Sequence, residues 1–226
     1  MISKYWQLIN NTVIKDIFGG AELNKRVKKE RIEFFGAVLI GGIVPVVLIL
    51  TGIIPYSWRF IVIFTIAIGL IIIEKMRHGI SWLDLGFRRD NLETSVYANI
   101  ILSIAIVALL LTAFAGDLIR QPIMVHDPMF YVFYVILLAP IQELLFRSIV
   151  FAKFKRCAIE RPATKIILSA LIFVIPHLIY RDGIILAVSL SIGLVWGWMY
   201  NRYPNFIGVA LSHSILGATA IAVGLI

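Results

Sequence analysis

The sequence predicts an all-α, polytopic membrane protein: a bundle of about seven transmembrane helices preceded by an N-terminal interfacial helix. Three observations carry this. Hydrophobic residues make up 60% of the chain and the mean hydropathy is +0.94, whereas a soluble domain averages roughly 45–50% apolar. The apolar residues fall into runs of about 20, the length a helix needs to cross the hydrocarbon core. The Lys and Arg residues flank those runs and are distributed unequally between the two sides. No second domain is expected: residues 1–33 form an N-terminal basic region and residues 34–226 the membrane domain.

Within 1–33, Trp6, Ile9, Val13 and Ile17 recur at helical spacing beside Lys4 and Lys15. Gly19-Gly20 interrupts the pattern, and Lys25, Arg26, Lys28, Lys29 and Arg31 then form a basic cluster. An amphipathic helix on an anionic leaflet fits, as does a solvated, positively charged flank. The spans follow at about 34–54, 58–74, 95–115, 129–151, 164–180, 184–201 and 205–225. Pro45 is expected to kink the first, because a proline inside a helix lacks the N–H that would bond one turn back. Trp58, Trp82, Tyr97, Tyr131, Tyr134, Tyr180, Trp198, Tyr200 and Tyr203 lie near the proposed ends, where an aromatic belt belongs. Loop 75–94, with Trp82, Asp84, Gly86 and Phe87, reads as packing at the interface, with a helix start near Asn91. His78 and His126 read as solvated surface histidines.

With the N-terminus in the cytoplasm, seventeen of the 21 Lys and Arg residues fall on the cytoplasmic side. Arg59, Arg120 and Arg181 fall outside, and Arg147 lies within a span. This asymmetry predicts seven crossings and a C-terminus on the opposite side. The formal charge of +8 is thereby explained by topology and anionic lipid, so nucleic acid is not an expected partner. The single cysteine, Cys157, excludes an internal disulfide and a cysteine-based zinc cluster; it is expected to be inert or lipid-facing. Residues 1–31 do not read as a signal peptide.

Polar groups within the spans are few. The run Leu138–Phe151 holds Gln142, Glu143 and Arg147 among apolar neighbours. An ionisable group in lipid costs a few kcal/mol or more, so each marks a functional-site hypothesis. Glu143 and Arg147 are four apart and share a helix face, while Gln142 sits about 100° further round. His177 and His213 each stand alone in a later span. Any one of these could be interhelical glue; together they point to hydrolysis. A base activates water and donors hold the oxyanion, roles that a carboxylate and two histidines can fill. There is no G-x-S-x-G for an acyl-enzyme route and no H-E-x-x-H zinc helix. Glu143, His177 and His213 remain candidate ligands for zinc.

In order along the chain, Gln142-Glu143-x-x-x-Arg147, Phe173-x-x-x-His177 and His213 resemble the motifs of the CAAX-protease and bacteriocin-processing intramembrane endopeptidases, also called the Abi family. Ala139-Pro140 and the Gly193/Gly197 pair are similar too, and the likeness covers roughly residues 80–220. It implies a membrane endopeptidase acting on a peptide or a lipidated protein. The first acid of the pair would be the water-activating base, assisted by His177. His213 and an Asn one turn later would hold the oxyanion, with Glu143 and Arg147 in support. This mechanism requires no cofactor, although the family is often described as metalloproteases. The chain departs from the pattern twice: Gln142 occupies the base position and Gly217 the Asn position. Gln cannot accept a proton at neutral pH, so the chain as written is expected to be a weak or inactive enzyme. The alternatives are a non-catalytic binding or regulatory protein of immunity type on the same fold and, with less support, a small-solute transporter. Membrane lipid is the expected surrounding partner in each case.

Overall fold

The computed structural model describes residues 24–118 and 127–225, and every regular element among them is helical. Among the described residues there are seven helices. Six are long and apolar enough to cross a membrane: α1 Lys25–Leu50, α2 Tyr56–His78, α3 Leu92–Ala115, α4 Pro128–Arg156, α5 Pro162–Tyr180 and α6 Gly183–Arg202. The seventh, α7 Phe206–Ala222, has 17 residues and is the shortest. At 1.5 Å per residue it is about 25 Å long, somewhat less than a full hydrocarbon core. The protein is an integral membrane protein with one helix that is buried more than the others.

Several boundaries differ from expectation. α1 begins at Lys25, so the basic cluster forms the first turns of the first long helix instead of a separate element. Asn24 caps it, its side chain accepting from the Arg26 N–H. The amphipathic pattern around Trp6–Ile17, and also Arg120 and His126, lie outside the described residues. α2 continues to His78 and α4 to Arg156, because lysines and arginines can extend from a helix end into the interface. The predicted start near Asn91 is observed, with Asn91 preceding α3.

Prolines shape three helices, each through the carbonyl that the missing N–H leaves behind. Pro45 and Pro140 each follow a wide π turn, Leu39–Ile43 in α1 and Tyr134–Leu138 in α4. A π turn relieves the clash of the ring with the preceding turn. In the i→i−5 pattern the carbonyl that Pro140 cannot serve is that of Val135, and Ser214 Oγ of α7 donates to it at 2.9 Å. α4 contains a second π stretch, Leu144–Ile149, where Ser169 Oγ of α5 donates to the Phe146 carbonyl at 3.0 Å. In lipid such replacement donors are needed, because water is not there to provide them. Pro176 ends the α-helical part of α5 at Val174, and a 3₁₀ segment, Ile175–Tyr180, completes it.

Small residues allow the closest helix contacts. A Cβ at Gly193 would lie 3.3 Å from the Ala170 Cα, and one at Gly197 3.3 Å from the Ile166 carbonyl, so α6 lies directly against α5. A Cβ at Gly208 would lie 2.9 Å from Asn99 Nδ2, bringing α7 against α3. This is small-residue packing of the kind that lets membrane helices approach without a hydrophobic driving force.

Helix ends collect on two faces of the bundle. On one, the start of α1 and the ends of α2 and α4 meet in a charged cluster. Lys153, 2% exposed, pairs with Glu74 at 3.0 Å and Glu30 at 3.6 Å, and Arg156 pairs with Glu30. Arg31 Nε donates to the Cys157 carbonyl at 2.8 Å. The starts of α3 and α7 join this face: Asn205 Nδ2 donates to the Arg88 carbonyl, and the Phe206 N–H donates to that of Gly86. Gly86 has φ +82°, and a Cβ there would lie 2.9 Å from the Phe206 nitrogen, so the packing role expected of this loop rests on glycine. On the opposite face Arg181 donates to the Leu50 carbonyl, joining the ends of α5 and α1.

Three surface expectations are corrected here. His78 is not solvated: it approaches Glu33 and Glu74, each at 3.7 Å, and its Nδ1 lies 3.0 Å from Arg156. Cys157 is fully buried, not lipid-facing, and burial pushes its thiol up to about 11. Tyr134 and Tyr200, at 6% and 2% exposure, belong to the interior, while Trp58, Trp82, Tyr97 and Trp198 are exposed as an interfacial belt requires.

Candidate active site

The polar residues of α4, α5 and α7 surround one aromatic side chain, Phe173 of α5. Glu143 and Arg147 are completely buried. Glu143 Oε1 lies 2.7 Å from His213 Nδ1, and Glu143 Oε2 lies 3.4 Å from Arg147 Nε. One carboxyl group therefore serves both a guanidinium on its own helix and an imidazole on α7. Arg147 also donates to the Gly193 carbonyl at 3.3 Å and stacks over the Phe173 ring at 4.4 Å. Removing these charges from water is costly, and the arrangement offsets that cost by ion pairing, hydrogen bonding and a cation–π contact.

His213 is held from several directions. Its ring stacks on Trp196 with centroids 4.4 Å apart and meets the Phe173 ring edge-on at 5.7 Å. Trp196 is itself fixed, since Nε1 donates to Ser212 Oγ at 2.9 Å, and Ser103 Oγ donates to the same hydroxyl at 2.9 Å. With Nδ1 facing Glu143, Nε2 is the ring nitrogen left to meet a ligand.

His177 also packs against Phe173, with ring centroids 4.9 Å apart. It is half-buried, on the 3₁₀ segment. Its Nδ1 is 2.9 Å from the Phe173 carbonyl, the group that Pro176 would have bonded in an i→i−3 pattern had it possessed an N–H. A carbonyl only accepts, so Nδ1 carries the proton and Nε2 of the neutral ring is an acceptor. Pro176 thus fixes both the position and the tautomer of this histidine.

Gln142 is half-buried, one residue away from the buried acid and on a different face of α4. No hydrogen bond joins its side chain to another described residue. Glu143, Arg147 and His213 are brought into direct contact; His177 joins them through Phe173; Gln142 flanks them.

Among the described residues, the ligand atoms of Glu143, His177 and His213 do not all lie within 4.8 Å of one another. Among the described residues the three acidic or imidazole groups with ligand atoms within 4.8 Å of one another are Glu30, Glu33 and His78. Those three are engaged with Lys29, Lys153 and Arg156, so cations already occupy their surroundings.

Sequence reasoning missed four contributors: Trp196, Ser212, Ser214 and Tyr134. A serine or tryptophan in an apolar helix carries no distinguishing pattern, and its role becomes visible only through a partner on another helix. Tyr134 is the instructive case. Its hydroxyl occupies the space that a Cβ at Gly217 would fill, and its ring carbon Cε1 would lie 2.7 Å from that Cβ. The ring meets His213 at 6.2 Å and 70°. The pairing of a tyrosine at 134 with the small residue at 217 is a signal that only co-variation between the two positions could have exposed.

Residues 124–219 match the family described as Type II CAAX prenyl endopeptidase Rce1-like. No curated protein and no solved structure matches the chain.

Proposed function

Given the match of residues 124–219 to the Rce1-like type II CAAX prenyl endopeptidase family, we propose that this integral membrane protein is an intramembrane endopeptidase of the CAAX-processing type whose hydrolytic step is suppressed at Gln142. The observation that carries the proposal is the completely buried contact between Glu143 and His213, 2.7 Å long and backed by Arg147. An acid, a guanidinium and an imidazole from two helices are expensive to keep in a membrane protein unless they act on something.

In this reading a peptide carbonyl binds beside His213, whose Nε2 donates to the carbonyl oxygen when the ring carries both protons. Glu143 holds the ring through Nδ1, and Arg147 holds Glu143. His177 offers Nε2 as an acceptor to the attacking water molecule. The strong base belongs at position 142. Its present occupant is close in shape to Glu but cannot take a proton, and Glu143 is already committed to two partners. The reaction is therefore slow or absent in the chain as written. The substrate is a membrane-associated peptide or lipidated protein. The basic face formed by the starts of α1, α3 and α7 and the ends of α2 and α4 lies in the cytoplasm.

Substituting Gln142→Glu tests this. Purified protein in detergent or proteoliposomes is incubated with a farnesylated CAAX peptide, and release of the C-terminal tripeptide is measured. A gain of about 10² or more in rate, the contribution of a general base, is expected in the Glu variant, and it is lost again on adding His213→Ala. No gain at any pH between 5 and 9 would remove the proposal.

A further inference from the structure

We propose that Tyr134 is the oxyanion donor that this chain uses in place of a side chain at position 217. The inference rests on the endopeptidase reading above and adds a residue to it. His213 and Gly217 are one turn apart on α7, so a donor based at either position faces the same side. Gly217 contributes no side chain, but its space is filled: the Tyr134 hydroxyl, reaching across from α4, lies where a Cβ at 217 would be.

Three features favour a donor over simple packing. Tyr134 is 6% exposed, and no hydrogen bond joins its hydroxyl to another described residue, so the O–H is available to a ligand. The ring is also set edge-on to His213, 6.2 Å between centroids. Finally, the π turn that begins at Tyr134 is clamped by the bond from Ser214 Oγ to the Val135 carbonyl. Ser214 is the residue next to His213, so a single short stretch of α7 positions both the imidazole and the phenol.

The chemistry balances without the phenol losing its proton. When water adds to the scissile carbonyl, the π pair of the C=O bond moves to oxygen, and the proton of the water goes to a base, which is residue 142 in its Glu form. The Tyr134 O–H donates a hydrogen bond to the new oxyanion beside that from His213 and remains protonated. A neutral donor aimed at developing charge in a dry site is worth on the order of 10²–10³ in rate.

The test uses two measurements. In the first, the unaltered chain and its Tyr134→Phe and His213→Ala variants are titrated with a farnesylated CAAX peptide whose scissile amide is replaced by a phosphinate, a tetrahedral anion that needs no turnover to bind. In the second, Tyr134→Phe is introduced into the Gln142→Glu protein, and kcat and KM are measured separately. Unfolding temperatures are recorded for every variant. We expect Tyr134→Phe to weaken phosphinate binding at least tenfold, and to lower kcat by about 10² with KM nearly unchanged, at an unfolding temperature close to that of its parent. Partial recovery is expected in a Tyr134→Ala/Gly217→Asn double variant, where the amide has room to replace the phenol. If His213→Ala weakens binding and Tyr134→Phe does not, the assignment of Tyr134 is wrong and the endopeptidase reading stands. If the unaltered chain does not bind the phosphinate and the Gln142→Glu protein does not cleave, both fall.

Discussion

Replacing Arg147 with leucine should be among the most destabilising single changes in the molecule. Arg147 is completely buried and serves Glu143 at 3.4 Å, the Gly193 carbonyl at 3.3 Å and the face of Phe173 at 4.4 Å. Leucine fills part of the volume, so little is lost to a cavity. What is lost is the guanidinium that pairs with the completely buried Glu143. Removing one partner of a buried pair costs about 3–5 kcal/mol, because the other is left without compensation. His213 remains against Glu143 and softens this, which places the expected loss near the lower end. For a domain of this size each kcal/mol moves the unfolding temperature by about 2–4 °C, so Arg147→Leu should unfold on the order of 10 °C below the parent in the same detergent. The double variant Glu143→Gln/Arg147→Met removes both charges and should recover most of that difference. Intrinsic tryptophan fluorescence during heating is a suitable readout, since Trp196 lies beside both His213 and Arg147. An Arg147→Leu protein that unfolds within 2 °C of the parent would refute the reasoning, as would a double variant less stable than the single.

Two further outcomes follow from the geometry. Ser214→Ala leaves the Val135 carbonyl without its donor and should cost about 1–3 kcal/mol, measured by the same thermal unfolding; Ser191→Ala, whose hydroxyl bonds within its own exposed turn, is the control and should be nearly silent. Cys157 is fully buried with its thiol pushed up to about 11, so a thiol-specific maleimide at pH 7.5 should leave the folded protein unlabelled and label it stoichiometrically in denaturing detergent.

Much of the architecture was legible in the sequence because lipid imposes a length and a polarity on every span. The helix start after Asn91 and the clustering of helix ends follow from that constraint. The candidate site was legible as a set of residues, since Glu143, Arg147, His177 and His213 stand out against apolar surroundings. Their mutual contacts were not. Periodicity places Glu143 and Arg147 on one face, but it says nothing of whether Glu143 or Gln142 meets His213. That depends on the π turns of α4, and a π turn has no propensity signature beyond the proline that follows it. His78 was misread for a related reason: it follows Lys75 and Arg77 in sequence, but its neighbours in space are Glu33, Glu74 and Arg156 from two helices and its own. Gly217 looked like a defect in a motif until the phenol beside it came into view.

The two wide turns of α4 bear on how the molecule is made. Each depends on a serine hydroxyl from a helix that is synthesised later, Ser169 of α5 and Ser214 of α7. As the ribosome delivers the chain from its N-terminus, α4 enters the bilayer before either serine exists to receive its spare carbonyls, and before His213 exists to face Glu143. Its final shape is consequently acquired late, when the last helix arrives and locks into place. A truncation within that last helix would leave not a smaller version of the site but an unfinished fourth span.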